Sequence, residues 1–147
     1  MMLKKIPAFM DAELLWVLAS MGHGDEIAIV DRNFSAPRVA SKTTTGKLIV
    51  LPGIDAPTAI AGILELMPLD DFVDQSLSHM GPTENTNELL EVHKAVQAVC
   101  CIAEGRNIVS KPIERFAYYP IAEACFAIIQ TAEARPYANF ILKKGVV

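Results

Sequence analysis

Helical patterns and short β-rich runs alternate along the first two thirds of the chain, and this alternation is the strongest constraint on its fold. Residues 11–22 and 55–68 carry apolar side chains at helical spacing, and each segment begins with an aspartate. Between them, residues 26–30 form a β-rich run. Such alternation is typical of a layered α/β domain. Two adjacent β-rich runs at 125–131 and 139–143 indicate some antiparallel pairing, so we expect a mixed, mostly parallel central sheet flanked by helices.

Several further elements follow from the same patterns. The longest helical pattern covers residues 87–103, and residues 119–124 fit a short helix. Residues 47–51 and 113–116 are predicted to be strands. Because it contains a proline, the segment 32–41 is predicted to be a loop.

Length and composition favour one domain that assembles with copies of itself. The chain has 147 residues, about the size of a single domain, and it has no internal repeat or linker, so residues 1–147 are predicted to form one domain. Apolar residues make up 52% of it, and its mean hydropathy of +0.31 is high for a soluble monomer. An apolar surplus is usually buried against other subunits, which favours a homo-oligomer. The net charge of −4 argues against a nucleic-acid surface.

The sequence also bears on the compartment. No run approaches the ~20 apolar residues of a membrane span, so no membrane partner is expected. The apolar stretch 6–10 is too short for the core of a signal peptide. The odd set of cysteines (Cys100, Cys101 and Cys125) has no metal-ligand spacing and predicts free thiols. We therefore expect a cytoplasmic protein.

His23 and Asp31 are the first candidates for chemistry. His23 lies between two glycines, so its ring is free to reach a ligand, and imidazole both gives and accepts protons near neutral pH. The alternative is a histidine in a surface turn. Asp31 ends a predicted strand, where ligands of α/β proteins bind. It would hold sugar hydroxyls or orient an imidazole, and the alternative is a capping aspartate.

Other polar side chains are weaker candidates. Arg115 offers several donors for oxygen ligands, or it is a solvated charge beside a strand. Tyr137 and Asn139 lie on one face if their segment is extended, which suits hydroxyl recognition. Tyr119 is a further candidate, although tyrosine side chains more often pack in a partly buried position than act as catalysts. Asp70 lies in a segment typical of a turn. His93 is in phase with an apolar helix face and is predicted to be a core histidine.

Three segments, in order and at matching intervals, carry a resemblance to a known family. They are residues 13–31, which include Met21-Gly22-His23-Gly24-Asp25-Glu26, then Arg115-Phe116-Ala117-Tyr118-Tyr119, and then residues 137–146, which begin Tyr-Ala-Asn-Phe. The chain resembles the fucose mutarotase / ribose pyranase family over nearly its whole length, and it is more similar to the fucose branch.

The resemblance implies an isomerase that interconverts the α and β anomers of L-fucose or a related aldose. It implies a ring-shaped homo-oligomer, a decamer or octamer with sites at subunit contacts, and no metal or cofactor. His23 would be the acid/base residue, with Tyr119 and Asp70 as further catalytic positions. The implied sugar-binding residues are Asp31, Arg115, Tyr137, Ala138 and Asn139. Alternatives are a non-catalytic sugar-binding or transport accessory protein, and pyranose–furanose interconversion of ribose.

Two features test this interpretation. Ala138 stands where the family usually has glycine, which tolerates left-handed or closely approaching backbone. Alanine fits if the backbone there is extended, whereas a close approach to the sugar would shrink the pocket or change the substrate. His23 and Asp31 are eight residues apart, or ~26 Å if the stretch is extended. Either the chain folds back between them, or two subunits complete one pocket. We favour two subunits because of the apolar surplus.

Overall fold

The computed structural model describes residues 3–147, which form six strands and five helices. The strands are β1 (Glu26–Val30), β2 (Leu48–Val50), β3 (Leu77–Met80), β4 (Lys111–Ile113), β5 (Ile128–Gln130) and β6 (Phe140–Lys143). The helices are α1 (Ala12–Ser20), α2 (Ala36–Ala40), α3 (Ala56–Leu64), α4 (Glu91–Glu104) and α5 (Arg115–Glu123).

The six strands form one mixed sheet in the order β2-β5-β1-β6-β3-β4. The pairs β2–β5, β5–β1 and β3–β4 are parallel, whereas β6 is antiparallel to both of its neighbours. Among the strands of residues 3–147, β6 alone therefore runs against the other five. The carboxyl ends of those five strands share one edge of the sheet with the amino end of β6. The predicted α/β class with a mixed, mostly parallel sheet is confirmed.

Helices cover both faces of the sheet, and β1 shows how. Ile27 and Ile29 point into a core with α1, α3 and α4, whereas Ala28 and Val30 point into a core with α2 and α5. All four side chains are fully buried. A strand buried on both sides reads as a continuous apolar run, which is why the β1 sequence lacks polar alternation.

Aspartate caps begin two helices where the sequence predicts them. The Asp11 carboxylate accepts from the Leu14 N–H at 2.8 Å, and the Asp55 carboxylate accepts from the Thr58 N–H at 2.9 Å. Each bond satisfies one of the free N–H groups of a helix start. In α3, Pro57 lies in the first turn, where its missing N–H costs nothing.

Two local predictions were wrong. The predicted loop 32–41 contains α2, because Pro37 lies in the first turn of this helix and helps to start it. The predicted strand 113–116 is instead a junction between β4 and α5. The Glu114 carboxylate accepts from the N–H groups of Phe116 and Ala117, both at 3.0 Å, and so caps α5.

Among residues 3–147, no helix is long and apolar enough to cross a membrane.

Glu133 ties the segment after β5 to the start of α3. Its buried carboxylate accepts from the Ala56 N–H at 3.1 Å and from the Arg135 guanidinium at 2.6 Å. Burial by itself would raise the pKa of this carboxyl. The hydrogen bonds from Arg135 and Ala56 outweigh burial and hold the pKa below its usual value.

Glu133→Gln is expected to lower the free energy of unfolding by ~1–3 kcal/mol at pH 7, because a buried donor loses its acceptor. A carboxyl whose pKa is lowered by folding stabilises the protein above its unfolded-state pKa. That contribution is lost as the pH falls through the folded-state pKa, so wild type and variant should converge in acid. Urea unfolding across this pH range measures the difference. Glu123→Gln, in a partly exposed pair with Lys42, is the control and should cost ~0–1 kcal/mol.

Candidate functional site

A cavity of about 270 Å³ opens at the edge where the five co-oriented strands end. This is the edge at which α/β sheets bind ligands. Ligand cavities usually measure ~300–1,000 Å³, so this one suits a small molecule. Its lining residues are Asp31, Asn33, Phe34, Met80, Arg115, Tyr119, Pro136, Tyr137 and Asn139.

Asp31 and Asn139 form the polar floor of this cavity, and both are buried. The Asn139 Oδ1 accepts from the Asp31 N–H at 2.9 Å, which joins the end of β1 to the start of β6. The Asp31 Oδ1 accepts from the Asn33 N–H at 3.0 Å. Both side chains are therefore fixed before any ligand arrives, and a preorganised site loses less conformational freedom on binding.

Burial raises the pKa of the Asp31 carboxyl above its usual value. Hydrogen bonds from the N–H groups of Asn33 and Phe34 offset part of this effect. A carboxylate with so little water around it gains from a hydroxyl that donates to it. This chemistry suits a neutral ligand rich in hydroxyl groups.

An aromatic and cationic wall lies beside the polar floor. The rings of Tyr119 and Phe34 stack with centroids 5.3 Å apart and planes 8° from parallel. Arg115 occupies the first position of α5, and its side chain reaches the cavity from an exposed position. The junction of β4 and α5 therefore brings a guanidinium into the cavity that the carboxylate of Asp31 also lines.

Tyr137 has an unusual backbone. Its φ is +60°, in the left-handed region that side chains other than glycine rarely adopt. Its hydroxyl lies 3.1 Å from the Thr83 hydroxyl, which together with the charge of Arg115 lowers the pKa of the phenol. Its carbonyl accepts from the His93 Nε2 at 2.8 Å. The aromatic ring of Tyr137 is thus held in the cavity wall.

Ala138 does not line the cavity. Its side chain is fully buried in the core beneath α3 and α4. Among the described residues, positive φ occurs without glycine at Lys5 and Tyr137, so the left-handed residue of this segment is Tyr137. A Cβ at position 138 therefore causes no backbone strain. The side chains of this segment that line the cavity are those of Tyr137 and Asn139.

His23 lies in a second cluster, which we call the histidine cluster and define as His23, Asp70 and Phe72. The His23 Nε2 is 3.0 Å from the Asp70 Oδ1, and the Phe72 ring lies edge-on to the imidazole with centroids 4.9 Å apart. Asp70 is buried, whereas the His23 side chain is 42% exposed and Phe72 is 71% exposed. An imidazole bonded to a buried carboxylate is suited to proton transfer.

The chain around Asp70 holds that carboxylate in place. A hydrogen bond from the Phe72 N–H, with a further contribution from His23, lowers the pKa of the Asp70 carboxyl. Arg106 donates to the Asp70 carbonyl at 3.2 Å. Gly145 also permits this packing, since a Cβ there would lie 2.6 Å from the Leu69 carbonyl oxygen. Asp70 is therefore ionised and rigid beside His23.

The cavity and the histidine cluster lie at opposite edges of the sheet. His23 precedes β1 and Asp31 follows it, and the five residues of β1 span ~16 Å. The turn before β1 lies beside the carboxyl end of β6, since the Gly24 N–H donates to the carbonyl of Lys144, the residue after β6, at 2.9 Å. Within one subunit, the structure therefore brings Asp31, Arg115, Tyr119, Tyr137 and Asn139 together and keeps His23 and Asp70 apart from them.

Several residues of the cavity and of the histidine cluster were not predicted from the sequence. Asn33 and Phe34 lie two and three residues after Asp31, so their place after a strand was the available signal. Met80 closes β3 at the same edge, and its sulfur lies 3.6 Å from the Asn139 Nδ2. Phe72 had no such signal. In the part of the chain that the structure describes, no three His, Cys, Asp or Glu side chains are grouped to bind a metal ion.

Comparison with known proteins places the chain in a family. The model of the RbsD / FucU transport protein family matches residues 4–147. The chain belongs to the RbsD / FucU family. A fucose mutarotase of Danio rerio is 37% identical, with 99% of this chain and 94% of that protein covered. An L-fucose mutarotase of Glaesserella parasuis is 36% identical, with 99% and 96% covered.

A solved structure with a similar sequence has the same fold. It is the fucose mutarotase of Streptococcus pneumoniae in complex with L-fucose, which is 34% identical to this chain. The two structures superpose with a TM-score of 0.84 and cover 99% of each chain. The predicted family membership is confirmed.

Asn139→Ala is expected to lower the free energy of unfolding by ~1–3 kcal/mol, because the buried Asp31 N–H loses its acceptor. Urea unfolding of the variant measures this cost. Asn33→Ala is the matched control, since the Asn33 side chain is exposed and its bond to Asp31 comes from the backbone. Equal stability losses in the two variants would contradict the anchoring role of Asn139.

Proposed function

We propose that this chain is a monosaccharide mutarotase that interconverts the α and β anomers of L-fucose or a related aldose. One observation carries the proposal. This member of the RbsD / FucU family has both a cavity suited to a ligand with several hydroxyl groups and an acid/base pair formed by His23 and Asp70. The relatives named fucose mutarotase and L-fucose mutarotase, which match over nearly the whole chain, support it.

The reaction needs a group that both removes and delivers a proton. His23 accepts the proton of the anomeric hydroxyl while the bond between C1 and the ring oxygen breaks, and a proton is delivered to that oxygen. The products are an open-chain aldehyde and a free hydroxyl. After rotation about C1–C2, the hydroxyl attacks the other face of the carbonyl, and the proton transfers run in reverse. No net proton is gained or lost.

Asp70 and Tyr119 have supporting roles in this proposal. The bond from His23 Nε2 to Asp70 leaves Nδ1 as the nitrogen that exchanges protons with the sugar, and the carboxylate stabilises the imidazolium that forms. Tyr119, in the cavity wall, is the second proton-transfer group. Both proton-transfer sites of a ring opening, the anomeric oxygen and the ring oxygen, then have a partner.

The cavity supplies the binding contacts. The desolvated Asp31 carboxylate accepts from sugar hydroxyls, and the Arg115 guanidinium donates to sugar oxygens. Tyr137 and Asn139, which both lie in the short segment that leads into β6, bind the remaining sugar hydroxyls. We assign no side-chain contact to Ala138, whose methyl group is in the core.

One active site is proposed to combine the cavity of one subunit with the histidine cluster of another. The length of β1 separates the two clusters within a subunit, and the exposure of His23 and Phe72 leaves the histidine cluster free to pack against a second copy. A ring-shaped homo-oligomer, an octamer or decamer, would repeat this contact at every subunit. The free thiols of Cys100, Cys101 and Cys125 agree with a cytoplasmic location.

NMR saturation transfer between the anomers of L-fucose tests the activity, with D-ribose as the second substrate. We expect faster exchange with wild-type protein for L-fucose, and a loss of ~10²–10⁴-fold in His23→Ala. Asp70→Asn should lose part of the activity, and Asp71→Asn, which changes an exposed neighbouring carboxylate, is the matched control.

The two alternatives predict different results in the same experiment. Sugar binding without faster exchange would indicate a non-catalytic binding protein. Acceleration confined to D-ribose would indicate pyranose–furanose interconversion. Full exchange in His23→Ala would move the acid/base role to another residue, with Tyr119→Phe as the next variant.

Hybrid oligomers test whether two subunits share a site. His23→Ala and Asp31→Asn are each expected to be inactive alone. When the two variants are co-expressed in equal amounts, a shared site regains both intact halves at about a quarter of subunit contacts. We therefore expect about a quarter of wild-type exchange in the hybrids. If each site lay within one subunit, the hybrids would stay as inactive as the single variants.

A further inference from the structure

The structure buries a pair of histidines, and the proposed reaction uses neither of them. His79 on β3 and His93 on α4 have ring centroids 4.0 Å apart, and both side chains are almost completely buried. The His79 Nδ1 is 2.6 Å from the Ser110 hydroxyl. Buried imidazoles lose hydration, so a specific role in the structure should be visible in their contacts.

Both ring nitrogens of His93 have a defined partner. Nδ1 accepts from the Leu90 N–H at 3.1 Å, which caps the start of α4. Nε2 donates to the Tyr137 carbonyl at 2.8 Å. These two bonds require a neutral ring with its proton on Nε2. His93 therefore links α4 to the segment that leads into β6.

Tyr137 is the residue that needs such a link. Its left-handed backbone is unfavourable for a residue with a Cβ and persists only when its surroundings fix it. Its hydroxyl contacts Thr83, and the next residue, Ala138, is locked in the core. The bond from His93 holds the carbonyl between these two points.

The orientation of the Tyr137 carbonyl affects the positions of two residues that line the cavity, Tyr137 and Asn139. The left-handed turn at Tyr137 places its ring in the cavity wall, and two residues later the Asn139 amide meets the Asp31 N–H. If the carbonyl rotated away, the Tyr137 ring would leave the wall and the Asn139 amide would lose its alignment.

The surroundings keep His93 in the required neutral form. Burial lowers the pKa of His93, although its bond to the Tyr137 carbonyl opposes this. Burial and the neighbouring His93 lower the pKa of His79 to about 4. A charged His93 would lose its acceptor for the Leu90 N–H, so the burial that keeps the ring neutral preserves both bonds.

We propose that His93 is a positioning residue for the sugar-binding cavity: its Nε2–H holds the Tyr137 carbonyl and thereby the left-handed backbone that presents Tyr137 and Asn139 to the ligand. The reference to sugar rests on the function proposed above. The geometric part, in which His93 fixes the conformation of Tyr137, stands independently of the ligand.

Two variants separate this role from that of a helix cap. In His93→Gln the amide nitrogen takes the place of Nε2, so it keeps the donor to Tyr137 and loses the cap. In His93→Asn the amide oxygen takes the place of Nδ1, so it keeps the cap to Leu90 and loses the donor. The two changes match in chemistry and differ in which bond survives.

The experiment measures KM and kcat for anomer exchange of L-fucose, with thermal unfolding of the intact oligomer. We expect His93→Asn to raise KM about tenfold with kcat nearly unchanged, because the lost contacts bind substrate and transition state alike. His93→Gln should keep a KM within about twofold of wild type while unfolding at a lower temperature. Equal KM values in the two variants would overturn the proposal.

Crystal structures of both variants provide a readout that needs no activity. Tyr137 should stay left-handed on Thr83 in His93→Gln and leave that conformation in His93→Asn; an unchanged Tyr137 in both would overturn the proposal. If wild-type protein accelerated no aldose, the proposed function would fail while this test still stood. ¹⁵N NMR of the wild-type histidines must also show His93 with its proton on Nε2, and a proton on Nδ1 would refute the assignment.

Discussion

The reversed direction of β6 is the constraint on which the candidate site depends. Five strands end at one edge of the sheet, and β6 begins there because it is antiparallel to β1 and β3. The segment before β6 therefore delivers Tyr137 and Asn139 to the place where β1 delivers Asp31. If β6 were parallel to its neighbours, its first residues would lie at the edge of His23 instead. The hydrogen bond between Asn139 and Asp31 fastens this arrangement.

The same strand pairing explains why the two clusters are kept apart. β1 lies at the centre of the sheet between β5 and β6, and it is buried on both faces. Such a strand cannot bend its two ends together without breaking both ladders. The rigid core thus prevents a close approach of His23 to the cavity of its own subunit, which is why the active site proposed above draws on two subunits.

Much of this fold could be predicted from local patterns, because periodicity and caps are local. The run Glu26–Val30 and the caps Asp11 and Asp55 lie where the sequence places them. The junction at Glu114 was mistaken for a strand, since the apolar residues on either side of Glu114 and Arg115 resemble one. What decides between strand and helix there is a single capping carboxylate.

The site was predictable only in part, because its contacts join residues far apart in the chain. Asp31 had the signal of a strand end and His23 that of an open turn, whereas Arg115, Tyr119, Tyr137 and Asn139 were weak candidates until the resemblance supported them. By contrast, the bond from His93 to Tyr137 spans 44 residues and depends on how α4 packs against β6. No spacing rule within one sequence encodes such a contact.

The separation along β1 has a consequence for how this protein can diversify. The residues proposed to bind the ligand line one end of the sheet, and the proposed acid/base pair of His23 and Asp70 occupies the other. A substitution at Asn33, Phe34 or Met80 alters the shape of the cavity without touching the imidazole and its carboxylate. Under the proposed function, ligand preference can therefore change in small evolutionary steps while the His23–Asp70 pair is inherited intact.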